Sequence, residues 1–215
     1  MTGAGAESGN WRFGVIGCGP ISSASGIVIK IGGSILARSD WPERVAALLG
    51  DIRIGSTSPR RTLLIGGGAV VDGLRELDRV RRQPDQLMHQ LAIDGMGITA
   101  RLVAAALGLP LVAAPSGGDG VLDMAAWLAA EPGRARGMPA GWEVTSDSLS
   151  ALVAADCGHR LVLVKSVSPP CSSLSTPEST AAGRILQHLA DAGWVDCWFP
   201  VAAANIGPVQ WAVPE

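Results

Sequence analysis

Lys30 and Lys165 are the only lysines in the chain, and each lies at or near the C-terminal end of an apolar, β-branched run. Lys30 sits inside IVIKIGGSIL, the stretch from Ile27 to Leu36. A lysine within such a strand is partly desolvated, so it needs an anionic partner or a route to water. Gly32, Gly33 and Ser34 follow at once. A strand that stops in glycines exposes backbone N–H groups where no Cβ blocks close approach, which suits an anion, most often phosphate. Read alone, this stretch is either a phosphate-handling site or an edge-strand lysine before an ordinary turn. A second apolar run, Thr62 to Ile65, also ends in glycines: Gly66, Gly67 and Gly68. The helix after it places Val70, Val71, Leu74, Leu77 and Val80 on one apolar stripe. Two strands ending this way favour the ligand reading over two bare β–α turns.

The elements that position these groups alternate between strand and helix. The run RLVLVK, Arg160 to Lys165, is a strong strand. Helices are predicted over PERVAALL, from Asp85 to about Leu107, over VLDMAAWLAA, after a cap at Ser146 or Asp147, and over PESTAAGRILQHLADAG. Leu111 to Ala114, Trp142 to Thr145, VDCWFPV and GPVQWAV read as further strands. This alternation predicts a three-layer α/β/α sandwich with a mainly parallel central sheet. In such sheets ligands bind at the C-terminal edge of the strands, where both lysines fall. Residues 1–25, rich in Gly, Ser and Ala, read as a flexible N-terminal arm, and residues 26–215 as one domain. The loop EPGRARGMPAG divides that domain near residue 140 into two lobes.

Composition excludes several classes. Hydrophobic residues make up 47% and charged ones 17%, which argues for a packed core. The net charge of -2 offers no general attraction to nucleic acid or anionic membrane. No uninterrupted apolar run is long enough to span a bilayer, and MTGAGAESGN is no secretory signal, so a cytoplasmic location is expected. Cys18, Cys157, Cys171 and Cys197 show no C-x-x-C spacing, and His89, His159 and His188 pair with no ligand at metal spacing, so no bound metal site is expected. The common P-loop and the G-x-S-x-G elbow are both missing. Gly17-x-Gly19 lacks the third glycine of a dinucleotide turn, since Ser22 stands there. The arginines at 75, 79, 81 and 82 read as a solvated helix face.

Taken in order, V-I-K-I-G-G-S, I-G-G-G before a helix, T-S-D-S-L-S-A and L-V-L-V-K-S resemble the amino acid kinase family over roughly residues 26–170. That family includes acetylglutamate, aspartate, uridylate and isopentenyl phosphate kinases. The resemblance implies an acceptor lobe over 26–140 and a nucleotide lobe over 141–215. It implies ATP and Mg2+, a small-molecule acceptor and a homo-oligomer. Lys30 matches the lysine that bridges donor and acceptor phosphates. Gly32, Gly33 and Ser34 match the loop on the transferring phosphoryl group, with Ser146 and Ser166 also on the phosphate side. Gly66, Gly67 and Gly68 match the acceptor loop. Asp147 matches the aspartate that orients the catalytic lysine, and Lys165 a lysine facing the nucleotide. Phosphoryl transfer needs in-line positioning and positive charge, which two lysines, backbone N–H groups and Mg2+ supply.

The chain departs from the pattern in three places. Asp72 stands where uridylate kinases keep an arginine. SVSPPCSS replaces the usual D-V-D-G, and no lysine follows Lys165, although Arg184 could supply charge. A carboxylate in place of arginine favours a cationic group on the acceptor. The helix motif H-Q-L-A-I-D-G-M, with G-G-G-x-x-x-D and W-x-V-T-S-D-S, resembles the [5-(aminomethyl)furan-3-yl]methyl phosphate kinases of methanofuran-type cofactor synthesis. That match implies acceptor positions at His89 and Met96. The alternatives are a uridylate or isopentenyl phosphate type kinase, or a relative that binds nucleotide for storage or regulation.

Overall fold

The computed structural model describes residues 11–17, 26–52, 60–115, 117–170 and 179–215. Its strands are β1 (Trp11–Ile16), β2 (Gly26–Ile31), β3 (Arg60–Ile65), β4 (Leu111–Val112), β5 (Gly120–Leu122), β6 (Arg160–Val164) and β7 (Val209–Pro214). The helices are α1 (Trp41–Asp51), α2 (Gly68–Val80), α3 (Asp85–Leu107), α4 (Met124–Ala130), α5 (Ser146–Cys157), α6 (Ser179–Asp191) and α7 (Phe199–Ala202). Among the described residues the strands form one sheet, ordered β1-β7-β6-β2-β3-β5-β4. Only the β1–β7 pairing is antiparallel. The fold is therefore the expected α/β sandwich.

The period of two along β2 sorts the layers. Ile27, Ile29 and Ile31 join a core with Val45 and Leu48 of α1 and Val103 of α3. Val28 joins the other core, with Leu149 and Val153 of α5, Leu189 of α6 and Phe199 of α7. Lys30 shares the parity of Val28, so β2 presents it to the α5 layer. The register then sets the height of the site. Ile31 pairs with Ile65 on one side and Val164 on the other. The two glycine turns and Lys165 thus leave the sheet at one level.

Several expectations need correction. The flexible arm assigned to residues 1–25 does not hold for Trp11–Ile16, which pairs with β7 along its whole length and buries Trp11 and Ile16. Residues 18–25, with Gly19 and Ser22, lie outside the described residues. The apolar stripe of α2 is mostly outward: Leu77 is 68% and Val80 79% exposed, while Val71 is buried. The first residues of VLDMAAWLAA form β5, and Asp123 then caps α4 by accepting from Ala126 N at 3.1 Å. Trp142 to Thr145 is a turn. VDCWFPV is a turn followed by α7, because Pro200 cannot donate to a ladder but suits the first turn of a helix. Finally, α3 is long and apolar enough to cross a membrane by length and composition. Here its apolar side packs against the sheet and α2.

Candidate functional site

Lys30, Asp147 and Lys165 meet at the C-terminal edge of the sheet. Lys30 Nζ lies 2.9 Å from Asp147 Oδ1, and Lys165 Nζ lies 2.6 Å from Asp147 Oδ2. Lys30 and Asp147 are each 5% exposed. Lys165 Nζ also donates to the carbonyl oxygen of Trp194 at 2.5 Å and sits 5.0 Å from the centroid of the Trp194 ring. Burial alone would push the Asp147 carboxyl up, but Lys30 and Lys165 outweigh it and hold Asp147 below the usual carboxylate range. Burial, and next the Lys30 charge, pull Lys165 below its ordinary 10.5, against the opposing pull of Asp147. Two ammonium groups share the Asp147 carboxylate, with the Asp196 charge also acting on Lys165, and this concentration of buried positive charge suits an anionic ligand.

The glycine turns supply the rest of the cradle. The two turns are packed backbone against backbone: a Cβ on Gly33 would lie 2.4 Å from the Gly68 Cα. Gly68 has φ +51, a conformation open to glycine. A Cβ on Gly67 would lie 2.0 Å from Val71 Cγ2. Gly32 N donates to Val164 O and Gly66 N to Ile31 O, each at 2.9 Å. Gly32, expected to contact phosphate, therefore has its N–H committed to the sheet edge. Among the described residues, the N–H groups of Gly33, Ser34, Gly67 and Gly68 meet no backbone carbonyl. Backbone donors of this kind beside two lysines are chemically suited to an oxyanion.

A cavity of about 240 Å3 opens onto this cradle. Gly33, Ser34, Gly66, Gly67, Gly68, Asp72, His89, Met96 and Ser146 all line it, joined by Arg75 and Trp142. Asp72 is exposed and paired with Arg75 at 2.6 Å. His89 is about nine-tenths buried; its Nδ1 lies 3.3 Å from Gly141 O, and its Nε2 has no partner among the described residues. A carbonyl only accepts, so in the neutral ring Nδ1 carries the hydrogen and Nε2 offers a lone pair. A second cavity has a volume of about 380 Å3. Lys165, Ser166, Ser168 and Trp194 line it. Ser34 Oγ lies 3.1 Å from Ser166 Oγ and links the two cavities. Among the described residues no cluster of three His, Cys, Asp or Glu side chains is placed to hold a metal.

The sequence missed a supporting group. The N-cap of α5 is Thr145, which accepts from Asp147 N at 3.3 Å, not Ser146 or Asp147. Thr145 is itself held by Asp196: Thr145 N and Oγ1 donate to Asp196 Oδ2 at 3.0 and 2.7 Å. Ser148 N and Trp198 N donate to the same carboxylate. One segment, Trp194 to Trp198, thus fixes Lys165 through a carbonyl and Asp147 through its helix.

The model of the amino acid kinase family matches residues 25–169. The chain belongs to the amino acid kinase family. Its members' activity makes it a phosphotransferase, a small-molecule kinase. Two solved structures align with the chain, and the first of them supports the fold. The uridylate kinase of Archaeoglobus fulgidus aligns with TM-score 0.57 and 12% identity, covering 88% of this chain and 91% of that one. The UMP kinase of Ureaplasma parvum aligns with TM-score 0.46 and 13% identity, covering 89% and 100%. No curated protein sequence matches the chain. Kinases of this family use ATP, typically with Mg2+. Asp147 has both oxygens engaged by lysines, so Mg2+ would be held by nucleotide phosphates and water, a common arrangement for this ion.

Proposed function

We propose that the protein transfers the γ-phosphoryl group of ATP to a phosphate monoester bearing an ammonium group, giving a diphosphate. The acceptor we name is [5-(aminomethyl)furan-3-yl]methyl phosphate, of methanofuran-type one-carbon cofactor synthesis in the cytoplasm. The observation that carries this reading is the wall of the first cavity. It joins free glycine N–H groups, which suit a phosphate, to Asp72 and the unpartnered His89 Nε2, which both ask for a hydrogen-bond donor. Asp72 lies one turn beyond Gly68 on α2, about 6 Å along the helix axis, a span suited to a small acceptor with phosphate and ammonium at opposite ends.

Lys30 lines neither cavity but meets Lys165 of the second one through Asp147, and in this reading it serves the transferring phosphoryl group. Lys165 and Ser166 face the nucleotide in the second cavity, with Ser34 and Ser146 at the junction. Asp147 holds both lysines in place and favours the charged form of Lys165. Mg2+ bound with the nucleotide would offset phosphate charge. The acceptor oxygen is already anionic, so no general base is required. The lobes assigned to these roles are 26–140 for the acceptor and 141–215 for the nucleotide.

We also propose a homo-oligomer paired through α3. Ile98 and Leu102 are each 56% exposed on this helix, with Asp94 and Arg101 also exposed. An antiparallel pairing centred near Ile98 would set Asp94 against Arg101 of the partner subunit.

ADP release measured over a panel of aminomethylfuran phosphate, UMP and isopentenyl phosphate tests the acceptor, with Lys30→Ala as the control. Turnover on the aminomethylfuran phosphate above the others supports the reading. Preference for UMP or isopentenyl phosphate replaces it with the corresponding kinase. ATP binding without turnover on any acceptor removes catalysis.

A further inference from the structure

Arg75 carries no role in the reading above, yet it lines the acceptor cavity with Asp72 and His89. Its Nη1 is 2.6 Å from Asp72 Oδ1, and its guanidinium carbon is 5.1 Å from the centroid of the Trp142 ring. The ring is fixed from behind. Trp142 Nε1 donates to Asp78 Oδ2 at 2.9 Å. Asp78 is 4% exposed and also accepts from Arg82 and from Gln83 N. The guanidinium therefore has one rigid partner, the ring, and one exposed partner, the Asp72 carboxylate.

We infer that Arg75 is a resident cation that holds Asp72 in the empty site and yields it to the ammonium group of the acceptor. The inference rests on the amine-bearing acceptor proposed above. The ion pair with Arg75 holds the Asp72 carboxylate oriented without substrate. An incoming ammonium brings three donors, which Asp72 and the lone pair on His89 Nε2 can share. The displaced guanidinium keeps its place over the Trp142 face and its access to water, so the exchange costs little. An acceptor without a cation has nothing to exchange for Arg75 and leaves the pair intact. Arg75 then moderates the preference for an amine-bearing acceptor by competing with it, since affinity for Asp72 is reduced by the fraction of sites in which Arg75 holds it.

The test uses the full chain with ATP and two acceptors, [5-(aminomethyl)furan-3-yl]methyl phosphate and its analogue with methyl in place of aminomethyl. Arg75→Ala removes the competitor, and Arg75→Gln removes its charge while keeping a stacked planar group. Both lower KM for the amine acceptor by roughly two- to five-fold, the range of an exposed ion pair, and leave KM for the methyl analogue unchanged. Asp72→Asn raises KM for the amine acceptor alone. A KM that stays constant or rises in both Arg75 variants, while Asp72→Asn raises it, overturns the role of Arg75 and leaves the ammonium reading standing. Equal falls for both acceptors also overturn it. Absence of wild-type turnover on the amine acceptor removes both readings together.

Discussion

Asp147→Asn is the most telling single change. The carboxylate stands between two ammonium groups, 2.9 Å from Lys30 Nζ and 2.6 Å from Lys165 Nζ. The asparagine keeps the shape and removes the charge. Because both lysines touch one carboxylate, their nitrogens are no more than about 8 Å apart; at an effective dielectric of about 20 their bare repulsion is at least about 2 kcal/mol. Breaking a buried pair by deleting one partner costs about 3–5 kcal/mol in comparable cases. The protein relieves part of this by releasing a proton from Lys165, whose pKa burial and Lys30 already depress. The alkaline limb of kcat therefore moves to lower pH, with kcat itself reduced. The assays are a pH profile of ADP release and urea unfolding of Asp147→Asn, Lys165→Gln and the double variant. If repulsion is the cause, Lys165→Gln destabilises the Asp147→Asn background less than it destabilises the wild type. Additive effects, or a kcat and pH profile that match the wild type, would refute the reasoning.

Five further outcomes follow from the structure. In the wild type, activity declines on the alkaline side at a pH below the ordinary lysine value of 10.5, because Lys165 must stay charged; a limb at or above 10.5 counts against it. Asp147 is held below 3.8, so its contribution to stability is complete above that value and is lost as pH falls through the folded-state pKa. Acid unfolding followed by circular dichroism is accordingly less steep in Asp147→Asn. Gly33→Ala puts a Cβ against the Gly68 backbone, which cannot swing aside as a side chain does; about 1–3 kcal/mol of stability and most of the activity go with it, read by thermal melts and ADP release. Asp196→Ala leaves Thr145, Ser148 and Trp198 donors without their acceptor, costs roughly 2–4 kcal/mol, and lowers kcat more than it raises KM. Ile98→Glu on α3 gives a monomer by light scattering if the helix forms the proposed interface.

The part of the site that was legible in the sequence is the part built by local pattern. A β-branched run, a lysine and a glycine turn lie within ten residues at Ile27 to Leu36, and the register of a parallel sheet brings the second turn and Lys165 to the same height. Alternation along β2 even decides which helical layer Lys30 faces. What stayed hidden depends on contacts across the chain. Asp196 lies 51 residues from the Thr145 it clamps, and Trp142 lies 64 from the Asp78 that fixes it. In sequence both sit within apolar stretches, VDCWFPV and WEV, whose alternation imitates a strand. The α2 stripe misled for a related reason. Periodicity reports that a helix has an apolar face, but not whether this chain or another covers it, and Leu77 and Val80 stand outside the core. The Trp194–Trp198 segment shows why such a pattern matters for chemistry. A strand there would send alternate side chains to opposite faces. The turn instead brings the Trp194 carbonyl to Lys165 and the Asp196 carboxylate to the start of α5, so one irregular segment ties together the two sides of the lysine–aspartate–lysine centre.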